Sequence, residues 1–334
     1  MCTAITLKGK ANHQILGRTM DFSYPIAPSL YFINKNRSWS NAQLQQAYPS
    51  KYAFLALGQT IAPLQAFFDG VNEKGIGAAA LYFAGYAQYD TLQQIKSSRS
   101  PIASYDVLQY ILGNCGSLAQ LPSLLQELQI IGMEDPVTKS IAPLHWIVSD
   151  KMGITAVIEK TKNGMQLYRN PLGILANSPE LPWHLTNLRN YGFVTAKQEE
   201  TANWDGMPLP PFGQGGNTAG LPGGFSSPQR FVRAAYLKSH LPQPATLDET
   251  IQGAFHVLQS VSIPQGAVLS NRDTYDYTKY IAVMELTAPQ YFFQSYGNQQ
   301  ITRVSLSEYR QETAPLLELG NVMQPIQYQK IQAN

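Results

Sequence analysis

Charge is scarce in this sequence: Asp, Glu, Lys and Arg make up 14% of 334 residues and leave a net charge of +2. No cluster of lysine and arginine interleaved with aromatics occurs, so the electrostatic footprint of a nucleic-acid partner is missing. Cysteine is scarcer still, with Cys2 and Cys115 alone. That excludes a disulfide framework and a cysteine-built zinc site, and Cys115, closing an apolar helical pattern, reads as core. The five histidines, His13, His145, His184, His240 and His256, show no zinc-type spacing and read as structural. No metal and no cofactor is expected. A serine triad has no G-x-S-x-G elbow to carry it. Gly75, Gly77 and Ala80 fit the dinucleotide fingerprint formally, yet a turn precedes them and no helical period follows. No apolar run approaches the roughly 20 residues of a membrane span, and the first residues lack the basic start and apolar stretch of a signal peptide. A cytoplasmic protein without membrane contact is expected.

What is present begins at the amino terminus, MCTAITL. Aminopeptidase removes an initiator methionine when the next side chain is small, so the mature chain is expected to begin at Cys2. One residue then holds a thiol and a free α-amine. An ordinary thiol is only a few per cent thiolate at neutral pH, and an adjacent amine with a pKa of roughly 8 can take its proton. Residues 2–8 and 14–21 both read as short strands, joined by GKANH, whose Gly9 and Asn12 suit a tight turn. Antiparallel pairing of this hairpin sets Cys2 opposite Thr19 or Met20. Arg18 and Asp21 then flank the thiol, as a cation favouring thiolate and a carboxylate orienting the amine. Their spacing places them on opposite faces of an ideal strand, so one is expected at a bulge or at the strand end.

With 44% hydrophobic residues the chain can bury a sizeable core, and its length suits one large or two ordinary domains. SLYFINKN and KYAFLALG read as strands separated by a polar connection at 37–51, and Asp69, Gly70, Asn72 and Gly75 as a turn before a small-residue strand at 76–83. Periodicity becomes helical at 104–115 and 117–130, returns to strands over 144–178, and gives a short helix at 183–191. A long Gly/Pro-rich stretch fills 192–226. Ser227 caps a helix with Pro228 at its first position, a second helix spans 248–262, and strands near 279–306 precede a weakly patterned tail. Runs of strands alternating with helix pairs predict an α+β fold of four layers, α/β/β/α, with two packed antiparallel sheets.

The blocks MCTAITL, GRTMDF, DGVNEKGIG, LHWIVSD, LANSPELPWHLTNLRNY, FGQGG, GLPGGF and RFVRAAYL, in this order, resemble the choloylglycine hydrolase family of N-terminal-nucleophile hydrolases. That family includes penicillin V acylases and bile salt hydrolases. The resemblance implies one amidohydrolase domain over 1–334, usually a cytoplasmic homotetramer in Gram-positive bacteria, with 192–226 as a hairpin that reaches a neighbouring subunit. It implies amide hydrolysis through an acyl-enzyme on Cys2. By position it implies Arg18 and Asp21 beside the nucleophile, Asn177 and the Tyr82 backbone N–H as oxyanion donors, and Arg230 completing the polar network. Tyrosine at Tyr82 resembles the acylase branch and implies phenoxyacetyl-penicillin, with Met20, Phe22, Tyr24, Phe67 and Tyr82 as the apolar pocket. Conjugated bile salts, acyl homoserine lactones and a catalytically inert binder are the alternatives. GLPGGF departs from the family in having Gly224 where aspartate is usual, which puts the orientation of Arg230 in question.

Overall fold

The amino-terminal hairpin forms as its turn chemistry predicts. Strand β1 (Cys2–Lys8) pairs antiparallel with β2 (Gln14–Phe22), with Cys2 opposite Met20, and Asn12 takes the left-handed φ of 60° that closes the turn. Arg18 and Asp21 both lie inside β2, on opposite faces. The bulge lies across from them, between Thr278 and Tyr280 of strand Tyr277–Glu285. The computed structural model describes residues 1–331 except 42, 43, 45, 62, 63, 136 and 137.

Two antiparallel sheets carry the structure. The six-stranded sheet has β1 and β2 near its centre, between the short strand Ile174–Leu175 and strand Tyr277–Glu285. The eight-stranded sheet runs from Gly164–Arg169 through Leu144–Asp150, Ile76–Tyr82 and Leu64–Asn72 to Ser29–Ile33 and Leu316–Asn321. One core cluster fills the space between the sheets and beneath the outer helices of the first, and joins Cys2, Leu55, Ala79, Phe231 and Leu258. A second lies on the outer face of the larger sheet around Phe54, Leu108, Leu112 and Trp146. The helices follow from local signals. Helix α1 (Val107–Asn114) covers the larger sheet, followed by α2 (Leu121–Glu127) and α3 (Leu181–Asn187). Helix α4 (Ser227–His240) and α5 (Leu247–Ser260) cover the smaller sheet. The Thr246 side chain caps α5 by accepting from the Glu249 amide at 3.1 Å, with Asp248 and Glu249 in the first turn. The α/β/β/α order predicted from the sequence is the one observed, and no helix among the described residues is long and apolar enough to cross a membrane.

Several elements differ from the sequence reading. The helix expected over 117–130 stops at Glu127, and Leu128–Ile131 instead forms a strand parallel to Ser100–Ala103, where all four residues are buried. Leu-Gln-Ile-Ile suits either period, and burial of both its faces selects the extended form. The helix at 104–115 begins as a 3₁₀ turn and is α-helical only from Val107. Asp69, Gly70 and Asn72 belong to strand Leu64–Asn72 rather than to a turn; only the next three residues turn, with Gly75 at φ 83°. The polar connection contains a small ladder, Ser38–Asn41 against Gln46–Pro49, and the tail contributes Leu316–Asn321, which pairs with Ser29–Ile33. The cap of α4 is Ser226, one residue before the predicted Ser227. Within 192–226, a short hairpin joins Ala202–Trp204 to Met207–Leu209.

Candidate active site

Cys2 begins β1 beside the centre of the smaller sheet, 4% exposed, and its Sγ accepts a hydrogen bond from Arg18 Nη2 at 2.9 Å. The guanidinium is fully buried and reaches this position because the rest of it is fixed. Nε donates to the Thr19 carbonyl at 2.9 Å and Nη1 to Asp69 Oδ2 at 2.8 Å. Asp69 in turn accepts from the hydroxyls of Tyr280, at 2.7 Å, and Tyr291. Burial works against the Arg18 charge, yet Cys2, Tyr280 and Asp69 together hold its pKa above the usual value. Burial and the Asp69 carboxylate push both tyrosines well above the ordinary phenol range, so they remain donors. The result is a cation whose orientation is set by Asp69 and whose free edge faces a thiol.

A second polar group lies on the other side of the backbone. Asp21 accepts from Thr19 at 3.1 Å and Thr278 at 2.6 Å, with Arg230 Nη1 3.7 Å away. Burial raises its pKa while Arg230 opposes the shift. Arg230 Nη1 donates to the Cys2 carbonyl at 2.6 Å and to Thr3 Oγ1, and Nη2 donates to Asn177 Oδ1 at 2.6 Å. Those contacts, with Nε on the Phe225 carbonyl at 2.8 Å, fix the guanidinium despite glycine at position 224, whose carbonyl is engaged by Arg233 instead. Asn177 Oδ1 also accepts the Cys2 amide at 2.8 Å, and its Nδ2 donates to the Tyr82 carbonyl at 2.6 Å. One Nδ2 hydrogen has no partner among the described residues.

All six residues expected at the catalytic centre therefore meet. The Asp21 side chain faces Arg230, 3.7 Å away, and its backbone carbonyl accepts from the Met1 amine at 2.6 Å. That ammonium also pairs with Asp276 at 3.2 Å. With Met1 attached, the Cys2 nitrogen is a peptide N–H; removal of Met1 would turn it into an amine in the same place.

Above the thiol lies a cavity of about 380 Å³ with a mostly apolar wall. Met20, Phe22, Tyr24, Phe67 and Tyr82 all line it, as the sequence reading expected. Phe22 and Tyr24 pack with ring centroids 5.2 Å apart, and Tyr82 is 40% exposed within the opening. The cavity is also lined by Ser23, Tyr24 and Ile26 after β2, by Gln59 and Leu64 of strands Phe54–Ile61 and Leu64–Asn72, and by Asp135 and Thr138. Sequence reasoning missed Asp69, Tyr280 and Tyr291, and also the fourth wall at 270–276. There Arg272 stacks 4.1 Å over Tyr24 and donates to Ser23 Oγ at 2.6 Å. Asp69 could have been found in FDGVN, where an acid precedes an otherwise buried run. The tyrosines lie in apolar strands and carry no such signal.

His184 supplies a pH prediction. It is buried in α3, and burial lowers its pKa from the ordinary 6.5 to about 4, against a hydrogen bond to the Asn177 carbonyl that raises it. The neutral form is favoured on folding, so this stability is complete above about pH 6.5 and is lost as pH falls from there toward 4. The full loss is about 3 kcal/mol. His184→Gln is expected to flatten the dependence of unfolding free energy on pH across that window; an unchanged slope contradicts it.

Two facing antiparallel sheets between helical layers, with β1 carrying its first side chain into the space above them, make the N-terminal-nucleophile hydrolase fold. Residues 2–317 match the sequence model of the linear amide C–N hydrolases, choloylglycine hydrolase family, and the chain belongs to that family. It is 30% identical over 310 residues to the bile salt hydrolase/transferase of Clostridium perfringens, covering 92% of this chain and 93% of that one. A crystal structure of a variant of the conjugated bile acid hydrolase from the same organism superimposes with a TM-score of 0.91 at 28% identity, over 99% of this chain and 100% of the other. The penicillin V acylase of Pectobacterium atrosepticum is 27% identical over 338 residues, 92% of this chain and 82% of that protein.

Proposed function

We propose that this family member cleaves amides of aromatic acids, phenoxyacetyl-penicillin above all, through an acyl-enzyme on Cys2. The observation that supports this best is the Cys2 Sγ held 2.9 Å from Arg18 Nη2 on the floor of an aromatic-walled cavity. In this reading Met1 is removed and the Cys2 amine takes the thiol proton. The thiolate, held by Arg18, attacks the acyl carbonyl. Negative charge on the carbonyl oxygen is met by the open Nδ2 hydrogen of Asn177 and the Tyr82 backbone N–H. The ammonium then protonates the departing amine, and water, with its proton taken by the same amine, releases the acid and regenerates Cys2. Asp69 keeps Arg18 aimed at sulfur, and Arg230 with Asp21 holds the Cys2 backbone.

Substrate choice rests on Phe22, Tyr24, Phe67 and Tyr82, whose ring faces and edges suit a flat phenyl group. The second reading is a conjugated bile salt, favoured by the 30% identity to the Clostridium perfringens enzyme. Parallel assays on penicillin V, glycocholate, taurocholate and an acyl homoserine lactone separate the readings, using protein whose mass confirms Met1 loss. Tyr82→Asn is expected to lower kcat/KM for penicillin V about 5-fold by removing one aromatic contact. Faster bile-salt cleavage by the unmodified chain would overturn the aryl reading, and activity on none of the four would point to a binder.

We also place homotetramer assembly on the hairpin within 192–226, whose Trp204 and Met207 are 72% and 59% exposed. Trp204→Ser with Met207→Ser is expected to reduce the mass seen by light scattering. An unchanged tetramer, or a wild-type monomer, would remove that assignment.

A further inference from the structure

Asn177 does its proposed work with one amide hydrogen, so the plane of its side chain must be fixed, and the backbone that carries it must be fixed first. Two imidazoles meet that backbone. His145 Nε2 lies 2.9 Å from the Ala176 carbonyl, and His184 Nε2 lies 2.9 Å from the Asn177 carbonyl. A carbonyl oxygen only accepts, so each Nε2 carries the proton. Both rings are fully buried, and they come from separate elements, His145 from strand Leu144–Asp150 and His184 from α3. Each ring is stacked on a residue adjacent in the chain to one of the groups that hold the Asn177 side chain. His145 stacks on Phe83 at 4.2 Å, next to Tyr82, whose carbonyl accepts from Asn177 Nδ2. His184 stacks on Phe231 at 4.6 Å, next to Arg230, which donates to Asn177 Oδ1. Glu159 ties α3 to this region: its Oε1 accepts from the Leu181 amide, at the start of α3, at 3.1 Å, and lies 3.3 Å from His145 Nδ1.

We propose that His145 and His184 are positioning residues for the oxyanion site: by donating to successive carbonyls they set the Asn177 backbone, and through it the direction of the free Nδ2 hydrogen. The assignment rests on the proposed role of Asn177, and it gives the two histidines a task that their lack of metal-type spacing concealed. Neither touches substrate, so their effect must pass through Asn177.

The test compares His145→Gln and His184→Gln, which can keep an N–H donor near the same place, with His145→Leu and His184→Leu, which cannot. Penicillin V turnover, or glycocholate turnover if that substrate is the faster, is measured beside Cys2 alkylation by iodoacetamide, which develops no oxyanion. The leucine variants are expected to lose about 10- to 100-fold in kcat, a fraction of a full oxyanion donor. KM should hold within about 2-fold and the alkylation rate should fall far less than kcat, because alkylation develops no oxyanion and the thiolate is held by Arg18. The glutamine variants should recover most of kcat. If leucine does not fold, phenylalanine at the same positions keeps ring and bulk without the donor and serves the same comparison. Full turnover in folded donor-less variants, equal losses in the glutamine variants, or alkylation falling in step with turnover would each overturn the inference. Asn177→Ala is the reference that isolates it: if that variant keeps its turnover, the oxyanion reading itself is wrong, whatever the histidines do.

Discussion

Serine in place of Cys2 is expected to lower turnover by about 10⁴-fold or more, with the fold intact. The effect is large because the site is arranged around sulfur. A hydroxyl is far harder to ionise than a thiol, so in a site arranged to hold a thiolate much less of the nucleophilic form is available. Removing the nucleophile of a hydrolase typically leaves only the activity that binding and oxyanion stabilisation supply by themselves. Serine is close to isosteric, and Arg18 can still donate to its oxygen, so little stability should be lost. Denaturation midpoint and substrate affinity should therefore stay near those of the unmodified chain while kcat collapses. Turnover within tenfold of the parent would mean that chemistry takes place elsewhere.

Asn177→Ala is the second large effect, expected at about 100- to 1,000-fold in kcat, the usual consequence of deleting one oxyanion donor. Asn177 is also structural. Its Oδ1 accepts from the Cys2 nitrogen and Arg230, and its Nδ2 donates to the Tyr82 carbonyl. Alanine leaves three buried polar groups short of a partner, so a loss of a few kcal/mol in stability should accompany the kinetic loss. Asn177→Asp separates the two effects. It keeps the oxygen that faces Arg230 and Cys2 but replaces the donor with a carboxylate that repels a developing oxyanion. Turnover should fall at least as far as in the alanine variant while stability is better retained. If aspartate were as active as asparagine, the donor role would be lost from the account.

The sequence exposed the Cys2 hairpin and its register because turn residues and strand alternation are local properties. Gly9, Asn12 and two short strands suffice to bring Cys2 opposite Met20. Asn177 and Arg230, by contrast, lie 175 and 228 residues from Cys2. No period or propensity connects them to it, and they were reached only through the motif blocks. The Leu128–Ile131 strand was misread because an apolar run of that length satisfies either period until tertiary burial decides. Asp69 was read as a turn former from its neighbours Gly70 and Asn72, although its carboxylate is held by Arg18, Tyr280 and Tyr291. That network draws on three distant strands, so its meaning exists only in the folded chain. The histidines were read from spacing alone, which tests for metal and is silent about carbonyl partners.

The central claim is that the amide is cleaved through a thioester on an amino-terminal Cys2. Its most direct test is acid-quenched turnover of penicillin V followed by intact mass and peptide mapping, with Asn177→Ala beside the parent chain as a variant expected to slow both acylation and deacylation. The account predicts a chain lacking Met1, carrying one phenoxyacetyl group on the peptide that begins at Cys2 and none on Cys115. Turnover by a chain that retains Met1, or an acyl group trapped on another residue, would contradict it.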